Sequence, residues 1–464
     1  MAYTPIDKGG NFFNTKLYTG NGGTNALTGV GFQPDLTWLK VRLAGSGQDH
    51  TWYDAVRGAT KFIESNTTNA EATGSNYLTS FNSDGFTLGN DQSHVNASGD
   101  SYASWNWIGA NPPKKTYIVK VVSDGGNKYR LDDFAANAVT LELSEGGTFI
   151  FDQSDSSNNG HPLRFSTTSN GTHAGGSIYT TGVVVSGTPG QAGAKTTITV
   201  AASAPTLYYF CTVHSGMGGQ ANTPTTNSFT NLDGSIQSNV SPNTISRFSI
   251  VKWTGNAGNA TVGHGLGVVP KMIIFKNLSD AYYWVVYHQG TGNTAYTRLN
   301  TADASSSSLN MFQNTTPTGS VFSLTSQGYV NGNNNNMVAY CFGDVQGFSK
   351  MGSYRGNGNA TNNTFIYTGF KPSFFMCKRT DGAGSWAMFD NKREPFNDVN
   401  GNDSLFADTS AAENANDYDV QFFSNGVKPN ASSDNIGRDG ATYIYIAFAE
   451  NPFTSATGIP VTAF

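Results

Sequence analysis

The chain has 464 residues, enough for roughly three or four domains of ordinary size. Charged residues make up only 13% and aromatic residues 12%, which excludes a disordered chain, because disorder combines few aromatic residues with high charge. The net charge of −5 argues against a nucleic-acid-binding protein, which would show a basic face. Abundant Gly, Ser, Thr and Asn favour turns, while Phe, Tyr and Val favour strands, so the composition predicts an all-β fold.

The beginning of the chain, Met1-Ala-Tyr-Thr-Pro, has neither the basic nor the apolar region of a signal peptide. The sequence contains no run of about 18 apolar residues, so it predicts no membrane span. The three cysteines, Cys211, Cys341 and Cys377, are too far apart to form a disulfide framework. We therefore expect synthesis in a reducing cytoplasm, with no membrane insertion.

Residues 1–112 predict a first β module. Its opening turn, Tyr18-Thr-Gly-Asn-Gly, has glycines that allow positive φ, and Pro34 begins an apolar run of strand length. Trp52 follows, and Ser101-Tyr-Ala-Ser-Trp-Asn-Trp closes the module as an alternating aromatic strand. Short strands separated by turn residues are typical of a β-sandwich. Trp52 is interpreted as a core residue, in preference to a sugar-stacking one.

Residues 117–222 predict an inserted domain of different character. The segments Val139-Thr-Leu-Glu-Leu, Gly147-Thr-Phe-Ile-Phe and Thr196-Thr-Ile-Thr-Val alternate like half-buried strands. The domain ends in Leu207-Tyr-Tyr-Phe-Cys-Thr-Val-His-Ser-Gly-Met. A thiolate and an imidazole placed three residues apart after a strand are a pattern suited to metal binding.

This ending resembles the copper loop of the cupredoxins, and the resemblance covers the whole inserted domain. It implies a Greek-key β-sandwich with a copper site made of two imidazoles, one thiolate and a weak axial thioether. Cys211, His214 and Met217 match the loop ligands, and His161 matches the upstream histidine. The alternative is a scaffold without metal, in which Cys211 is a small buried apolar residue and the other ligand-type residues pack in a turn.

Residues 223–244 predict a linker, 245–346 a second module, 347–455 a third module, and 456–464 a C-terminal tail. The turn aromatic and the proline recur at nearly constant spacing, as Tyr18 and Pro34, Trp253 and Pro270, and Tyr354 and Pro372. Each proline is followed by an apolar run ending in lysine and then by a tryptophan, namely Trp52, Trp284 and Trp386. The closing strands of the later modules begin near Met337 and Thr442. This regularity indicates one module present three times.

The modules resemble an uncharacterised repeat of structural proteins from marine bacteriophages, through the segments Gly31-Phe-Gln-Pro-Asp and Ser80-Phe-Asn-Ser-Asp-Gly-Phe. The second module departs from the pattern, because it has Gly267-Val at the turn and lacks the Asp54 and Arg57 pair. The resemblance implies a virion protein on the particle exterior, as a tail fibre, an appendage or a capsid decoration, that contributes to host attachment. Its expected partners are other virion proteins and a host cell-surface glycan or protein. We also expect a homo-oligomer, which is a trimer if the protein forms a fibre.

The sequence shows no catalytic constellation, so we expect a protein that is not an enzyme. It contains no phosphate-binding loop, no Gly-x-Ser-x-Gly elbow and no His-Glu-x-x-His segment. Two other functions stay open: a copper-binding electron-transfer protein built on the inserted domain, and a carbohydrate-binding module protein. Rigid sandwiches that present many loops favour weak multivalent surface contacts.

Overall fold

Strands make up nearly all of the regular structure, which confirms the all-β prediction. The structure, a computed structural model, describes residues 4–43, 47–110, 112–395, 397 and 402–449, so the predicted tail at 456–464 lies outside the described residues. Single helical turns occur before the first strand, at Gly9–Asn11, and between strands, at Ser156–Asn158, Gly171–Ala174 and, as α1, Gly328–Asn331.

The strands follow one another closely along the chain. The first module contains β1 (Phe13–Thr19), β2 (Asn25–Thr28), β3 (Leu36–Leu43), β4 (Thr51–Asp54), β5 (Lys61–Glu64), β6 (Ala72–Thr73), β7 (Leu78–Asn82), β8 (Gly85–Leu88) and β9 (Ser101–Trp107). Next come β10 (Lys114–Ser123), β11 (Asn127–Leu131), β12 (Leu141–Glu142), β13 (Thr148–Asp152), β14 (Leu163–Ser166), β15 (Val183–Ser186), β16 (Lys195–Thr199), β17 (Leu207–Cys211), β18 (Gln220–Asn222), β19 (Phe229–Asn231) and β20 (Ser238–Asn243).

The remaining strands belong to the second half of the chain. They are β21 (Phe248–Thr254), β22 (Ala260–Gly263), β23 (Met272–Asn277), β24 (Val285–His288), β25 (Thr297–Arg298), β26 (Val321–Leu324) and β27 (Asn336–Phe342). The third module contains β28 (Ser349–Arg355), β29 (Ile366–Tyr367), β30 (Pro372–Arg379), β31 (Ala387–Asp390), β32 (Asn402–Phe406), β33 (Asn414–Phe423), β34 (Gly426–Asn430) and β35 (Thr442–Ala449).

The chain forms two compact units. The first consists of Met1–Gly109, Pro242–Asn259 and Leu266–Phe464, and the second of Ala110–Ser241 and Ala260–Gly265. The sequence predicts three separate modules, whereas the structure places most of all three in the first unit. The inserted domain makes up most of the second unit.

The three modules share one antiparallel strand order. It runs β1-β9-β3-β4-β5 in the first, β21-β27-β23-β24-β25 in the second and β28-β35-β30-β31-β32 in the third. In each case the closing aromatic strand lies between the first strand and the strand that follows the proline. Alternation along these strands sends one set of side chains into a core that all three modules share, and in the first module the other set into a core of its own.

The closing strands meet at the centre of the shared core. Trp107, Phe342 and Phe448 form a closed triangle of rings, with centroid separations of 6.1 Å between Trp107 and Phe342, 6.0 Å between Phe342 and Phe448, and 5.7 Å between Phe448 and Trp107. All three pairs are edge-to-face, with interplanar angles of 66°, 61° and 71°, a geometry that aromatic quadrupoles prefer. Each module therefore contributes one ring to a contact that the other two complete.

Three buried lysines connect the modules into a ring. Lys40, Lys276 and Lys378 end the apolar runs that follow the prolines, and all three are fully buried. Each ammonium donates to a backbone carbonyl of a neighbouring module: Lys40 to Ser410 at 2.8 Å, Lys276 to Thr68 at 2.9 Å, and Lys378 to Ala302 at 2.9 Å and Asp303 at 2.6 Å. Each also binds a carbonyl of its own module, on Gln48, Tyr282 and Gly384. The first module thus donates to the third, the second to the first and the third to the second, so the three contacts form a closed ring.

Burial lowers the pKa of these lysines, to about 7 for Lys276 and to about 8 for Lys40 and Lys378. Because these lysines are fully buried, water cannot hydrogen-bond to their ammonium groups, and the backbone carbonyls must accept those hydrogen bonds instead. A buried lysine with several carbonyl partners therefore fixes the position of the segments that supply those partners.

In the second and third modules, the residue that precedes the short strand β24 or β31 makes a further contact with a neighbouring module. Trp284 Nε1 donates to the Glu64 carbonyl at 2.9 Å, and Trp386 Nε1 donates to the Arg298 carbonyl at 2.8 Å. The sequence pattern groups Trp52 with Trp284 and Trp386, but Trp52 is not structurally equivalent to the other two. In the first module the equivalent position is His50, and Trp52 lies two residues further on. Burial lowers the pKa of His50 well below its usual value, with Lys40 adding to the shift and the Phe406 carbonyl opposing it, and the buried Nε2 has no hydrogen-bond partner among the described residues.

All three tryptophans compared in the sequence are core residues, which confirms the interpretation made for Trp52. Trp52, Trp284 and Trp386 are at most 1% exposed. The Asp54 and Arg57 pair is a buried ion pair, and the third module repeats it with Asp390 and Arg393, whose Nε lies 2.6 Å from the carboxylate. Tyr340 of the second module donates to Asp54 at 2.7 Å, and Trp105 of the first donates to Asp390 at 3.1 Å.

We predict that Lys276→Met lowers the free energy of unfolding of the first unit by about 2 kcal/mol, because it removes the donor to the partly buried carbonyls of Thr68 and Tyr282. Denaturant unfolding followed by tryptophan fluorescence measures the change. Lys252→Met is the matched control, since Lys252 is a partly exposed lysine of the same module, and we expect it to change stability by less than about 0.5 kcal/mol. Equal effects of the two substitutions would contradict a structural role for the buried lysine.

Candidate metal centre

Two sheets face each other in the second unit. One has the order β11-β10-β13-β16-β15 and the other β12-β18-β17-β14. Phe151 of the first sheet packs on Phe165 and Tyr209 of the second, with ring centroids 5.3 and 6.3 Å apart. The alternation of β13, β14 and β17 sends these aromatic rings inward, so the unit is sandwich-like.

Strand pairing brings the candidate ligands together. Cys211 is the last residue of β17 and lies opposite Leu163, the first residue of β14. His161 precedes β14 by two residues, and His214 lies in the loop that follows β17. The Thr212 N–H donates to the Pro162 carbonyl at 3.1 Å and extends the pairing beyond the strand ends. Residues far apart in the sequence thus meet at one end of the sandwich.

Three of the four predicted ligands form a compact donor set. Cys211 Sγ lies 3.9 Å from His161 Nδ1 and 3.8 Å from His214 Nδ1, and the two imidazole rings have centroids 4.5 Å apart. Metal–sulfur and metal–nitrogen bonds of about 2.3 and 2.05 Å at a trigonal angle would place sulfur about 3.8 Å from nitrogen. The donor spacing therefore fits a trigonal metal ion held by two imidazoles and one thiolate.

Burial differs strongly among the donors. Cys211 is buried, His161 is intermediate and His214 is exposed. The His214 N–H also donates to Cys211 Sγ at 3.4 Å. The thiolate side of the set is thus shielded by protein, while one imidazole edge faces the surface.

Met217, the fourth predicted ligand, is fully buried in the same loop. Its backbone carbonyl accepts the Tyr129 N–H at 2.9 Å, which ties the loop to β11. Lys128 Nζ donates to the Gly216 carbonyl at 2.5 Å beside it. The loop between Cys211 and Met217 is therefore held at both ends, and an axial role for the Met217 sulfur stays a prediction.

Polar side chains fix the segment that carries His161. The His161 carbonyl accepts hydrogen bonds from Gln153 Nε2 and from the Tyr129 hydroxyl, both at 2.8 Å. Gln153 Oε1 in turn accepts the Leu163 N–H at 3.0 Å. Since Gln153 is buried, its amide orients the chain on both sides of the proline without contacting the donor atoms themselves.

The sequence interpretation assigned no role to His173, yet this residue borders the site. Its Nε2 lies 2.9 Å from the Cys211 carbonyl. Asn170, on the same turn, accepts the Gly216 N–H at 2.8 Å and donates to Ser215 Oγ at 3.0 Å. Asn170 has a φ of 62°, a left-handed conformation that Asn tolerates better than most residues. No spacing rule links this turn to the ligand loop, so it could not be predicted from the sequence.

Burial shifts two pKa values at the site. Burial lowers the pKa of His161, and the neighbouring His214 lowers it further, which keeps the imidazole neutral and able to bind a metal. Burial also raises the pKa of Tyr129, and the nearby Cys211 thiol adds to the effect. Tyr129 therefore acts as a neutral hydrogen-bond donor beside the sulfur.

The fold and the site define an all-β protein in which a sandwich-like domain with a His-Cys-His cluster accompanies a three-module unit. A family described as "Domain of unknown function (DUF7483)" matches residues 8–123 and 220–452, and the chain belongs to it. The interval between the two matched segments contains all four predicted ligands. No curated protein and no solved structure matches the chain. Among the described residues, no helix has the length and hydrophobicity of a membrane span.

Proposed function

We propose that this chain is a non-enzymatic structural protein on the exterior of a bacteriophage particle, as a tail fibre, an appendage or a capsid decoration, and that it contributes to host attachment. The closed ring of buried lysines in the three-module unit carries the proposal. It joins three modules into one body through contacts of fully buried lysine side chains. A body of this kind holds its surface loops in fixed positions, which suits a protein that makes repeated weak contacts outside a cell.

The resemblance of the modules to a marine bacteriophage repeat supports the same proposal. In this function the partners are other virion proteins and a host cell-surface glycan or protein, and the chain is a homo-oligomer, a trimer if it forms a fibre. The protein is made in the host cytoplasm and its final location is the virion.

We expect antibodies raised against the purified chain to label the outside of intact particles in immunogold electron microscopy, on fibres or on the head. The reason is that a fibre or a decoration exposes its loops to solvent. Antibodies depleted on the purified chain are the control and should leave the particles unlabelled. Label that appears only after the particles are broken, or purified particles that lack the chain, would contradict the proposal.

A second function, copper binding by the inserted domain, is favoured by the donor distances around Cys211. His161, Cys211 and His214 would hold the ion, with Met217 as axial ligand, as the cupredoxin resemblance implies. A copper ion held in this way supplies one-electron transfer. This chain would bind it with a buried thiolate and leave the His214 edge exposed to a redox partner.

We predict that copper(II) added to the purified, reduced protein produces a thiolate charge-transfer band at about 600 nm with one ion per chain. Cys211→Ala should abolish the band, because it removes the thiolate. Cys341→Ala is the matched control, since Cys341 is equally buried but lies in the first unit, and it should keep the band. A colourless protein, or equal colour in both variants, would contradict a copper site at Cys211.

A further inference from the structure

Three exposed aromatic side chains lie on one face of the strands β29, β34 and β33 in the third module. Tyr367 and Phe423 are 57% and 38% exposed, and both lie opposite Gly426 in the strand register. Phe365, two residues before Tyr367, is 43% exposed, and its ring contacts that of Phe423 with centroids 5.8 Å apart. Residues directly opposite one another and residues two apart share a face of a sheet. The three rings therefore form one surface, which we call the aromatic face.

Gly426 gives the Phe365 ring room to lie against the sheet. A side chain at this position would place its Cβ 2.5 Å from Phe365 Cζ, so glycine allows the ring to cover the backbone. Lys350 fixes the neighbouring ring, because its Nζ donates to the Tyr367 carbonyl at 2.9 Å and lies 5.2 Å from the ring centroid. The aromatic face is therefore held in position by contacts within the chain.

The first module has the same strand register but small or polar side chains. Gly85 of β8 lies opposite Thr28 of β2 and Asn82 of β7, as the glycine of the aromatic face lies opposite its two aromatic neighbours. Ala26 takes the place of Phe365. The strand pairing therefore does not require aromatic rings at these positions, and a cluster of exposed rings is typical of a binding surface.

A cleft of about 300 Å³ adjoins the aromatic face, and Tyr367 forms part of its wall. Asp344 and Gln346 contribute polar side chains to the same cleft. Asp344 Oδ1 accepts the Met351 N–H at 2.8 Å, whereas Oδ2 has no hydrogen-bond partner among the described residues and is accessible to solvent. An ionised carboxylate only accepts hydrogen bonds, so a ligand that fills the cleft must bring a donor.

The area of the aromatic face distinguishes a small ligand from a protein partner. Three rings that are each about half exposed offer on the order of 300 Å². A stable protein interface buries about 800 Å² on each partner. Apolar rings beside a cleft with a few polar groups are instead typical of a site for a small ligand.

We propose that the aromatic face and the adjoining cleft bind an uncharged, β-linked oligosaccharide of glucose. Every ring hydroxyl of β-glucose is equatorial, so the two faces of the sugar ring present C–H groups and its rim presents hydroxyls. The faces would pack on the rings of Phe365, Tyr367 and Phe423. A rim hydroxyl would donate to Asp344 Oδ2. The accessible carboxylate disfavours an acidic sugar, because like charges repel each other.

A role of this site in host attachment rests on the proposed particle location, because the oligosaccharide would then belong to a host glycan. Binding of the oligosaccharide does not rest on that location, and it is measured with the purified chain. A chain that binds the oligosaccharide but is absent from particles would retain the site and lose the attachment role. A chain that is present on particles but does not bind would do the reverse.

The test is isothermal titration of the full chain with cellohexaose, with the β-1,4-linked hexamer of glucuronic acid as the acidic probe. We expect cellohexaose to bind at least about tenfold more tightly than the acidic hexamer. Tyr367→Thr and Phe365→Ala introduce the residues of the first module, and each should weaken cellohexaose binding by about tenfold because it removes one ring. Asp344→Asn should weaken it by about fivefold, since a neutral acceptor replaces a charged one.

Tyr283→Thr is the matched control, because Tyr283 is an exposed tyrosine of the same unit that does not line the cleft, and cellohexaose affinity should not change. The absence of cellohexaose binding to the unaltered chain would overturn the proposal. Unchanged binding in folded Tyr367→Thr would overturn the assigned site, and equal binding of the acidic hexamer would overturn the class of sugar. Self-association that Phe365→Ala abolishes, without cellohexaose binding, would assign the aromatic face to a second copy of the chain instead.

Discussion

A lysine ammonium that is buried among backbone carbonyls of another module is the interaction on which the three-module unit depends. The ammonium must be solvated by protein, and the carbonyls of Ser410, Thr68 and Ala302 supply that solvation. Because the partners are backbone atoms, the interaction constrains the path of the neighbouring chain and not merely one side chain. Repeated three times in one direction, it places the closing strands where Trp107, Phe342 and Phe448 can meet.

The three modules depart from this regularity at single positions. His50 takes the place that Trp284 and Trp386 occupy in the other modules, and its buried Nε2 has no hydrogen-bond partner within the part of the chain that the structure describes. The residues that follow β4, β24 and β31 also differ, since Ala55, Gln289 and Asn391 each donate a backbone N–H to the residue after their module's proline. The three-module unit therefore tolerates different side chains at positions where the backbone contacts are the same.

The sequence predicted the all-β class, because composition and alternation are local properties. It also marked His161, Cys211 and His214, since ligand types and their order are visible without coordinates. It did not show that three modules share one core, because Lys40, Lys276 and Lys378 look like ordinary strand ends and their carbonyl partners have no sequence signature. It likewise gave no signal for His173, and it compared Trp52 with Trp284 because proximity in sequence does not fix strand register.

Hydrogen exchange followed by mass spectrometry tests most directly the central claim that the three modules form one cooperative body. In mild denaturant, the core strands β9, β27 and β35 should lose protection together, with the same free energy of opening, because each completes the core of the others. Protection in the inserted domain serves as an internal reference. Complete exchange in one module while the other two stay protected would contradict the account.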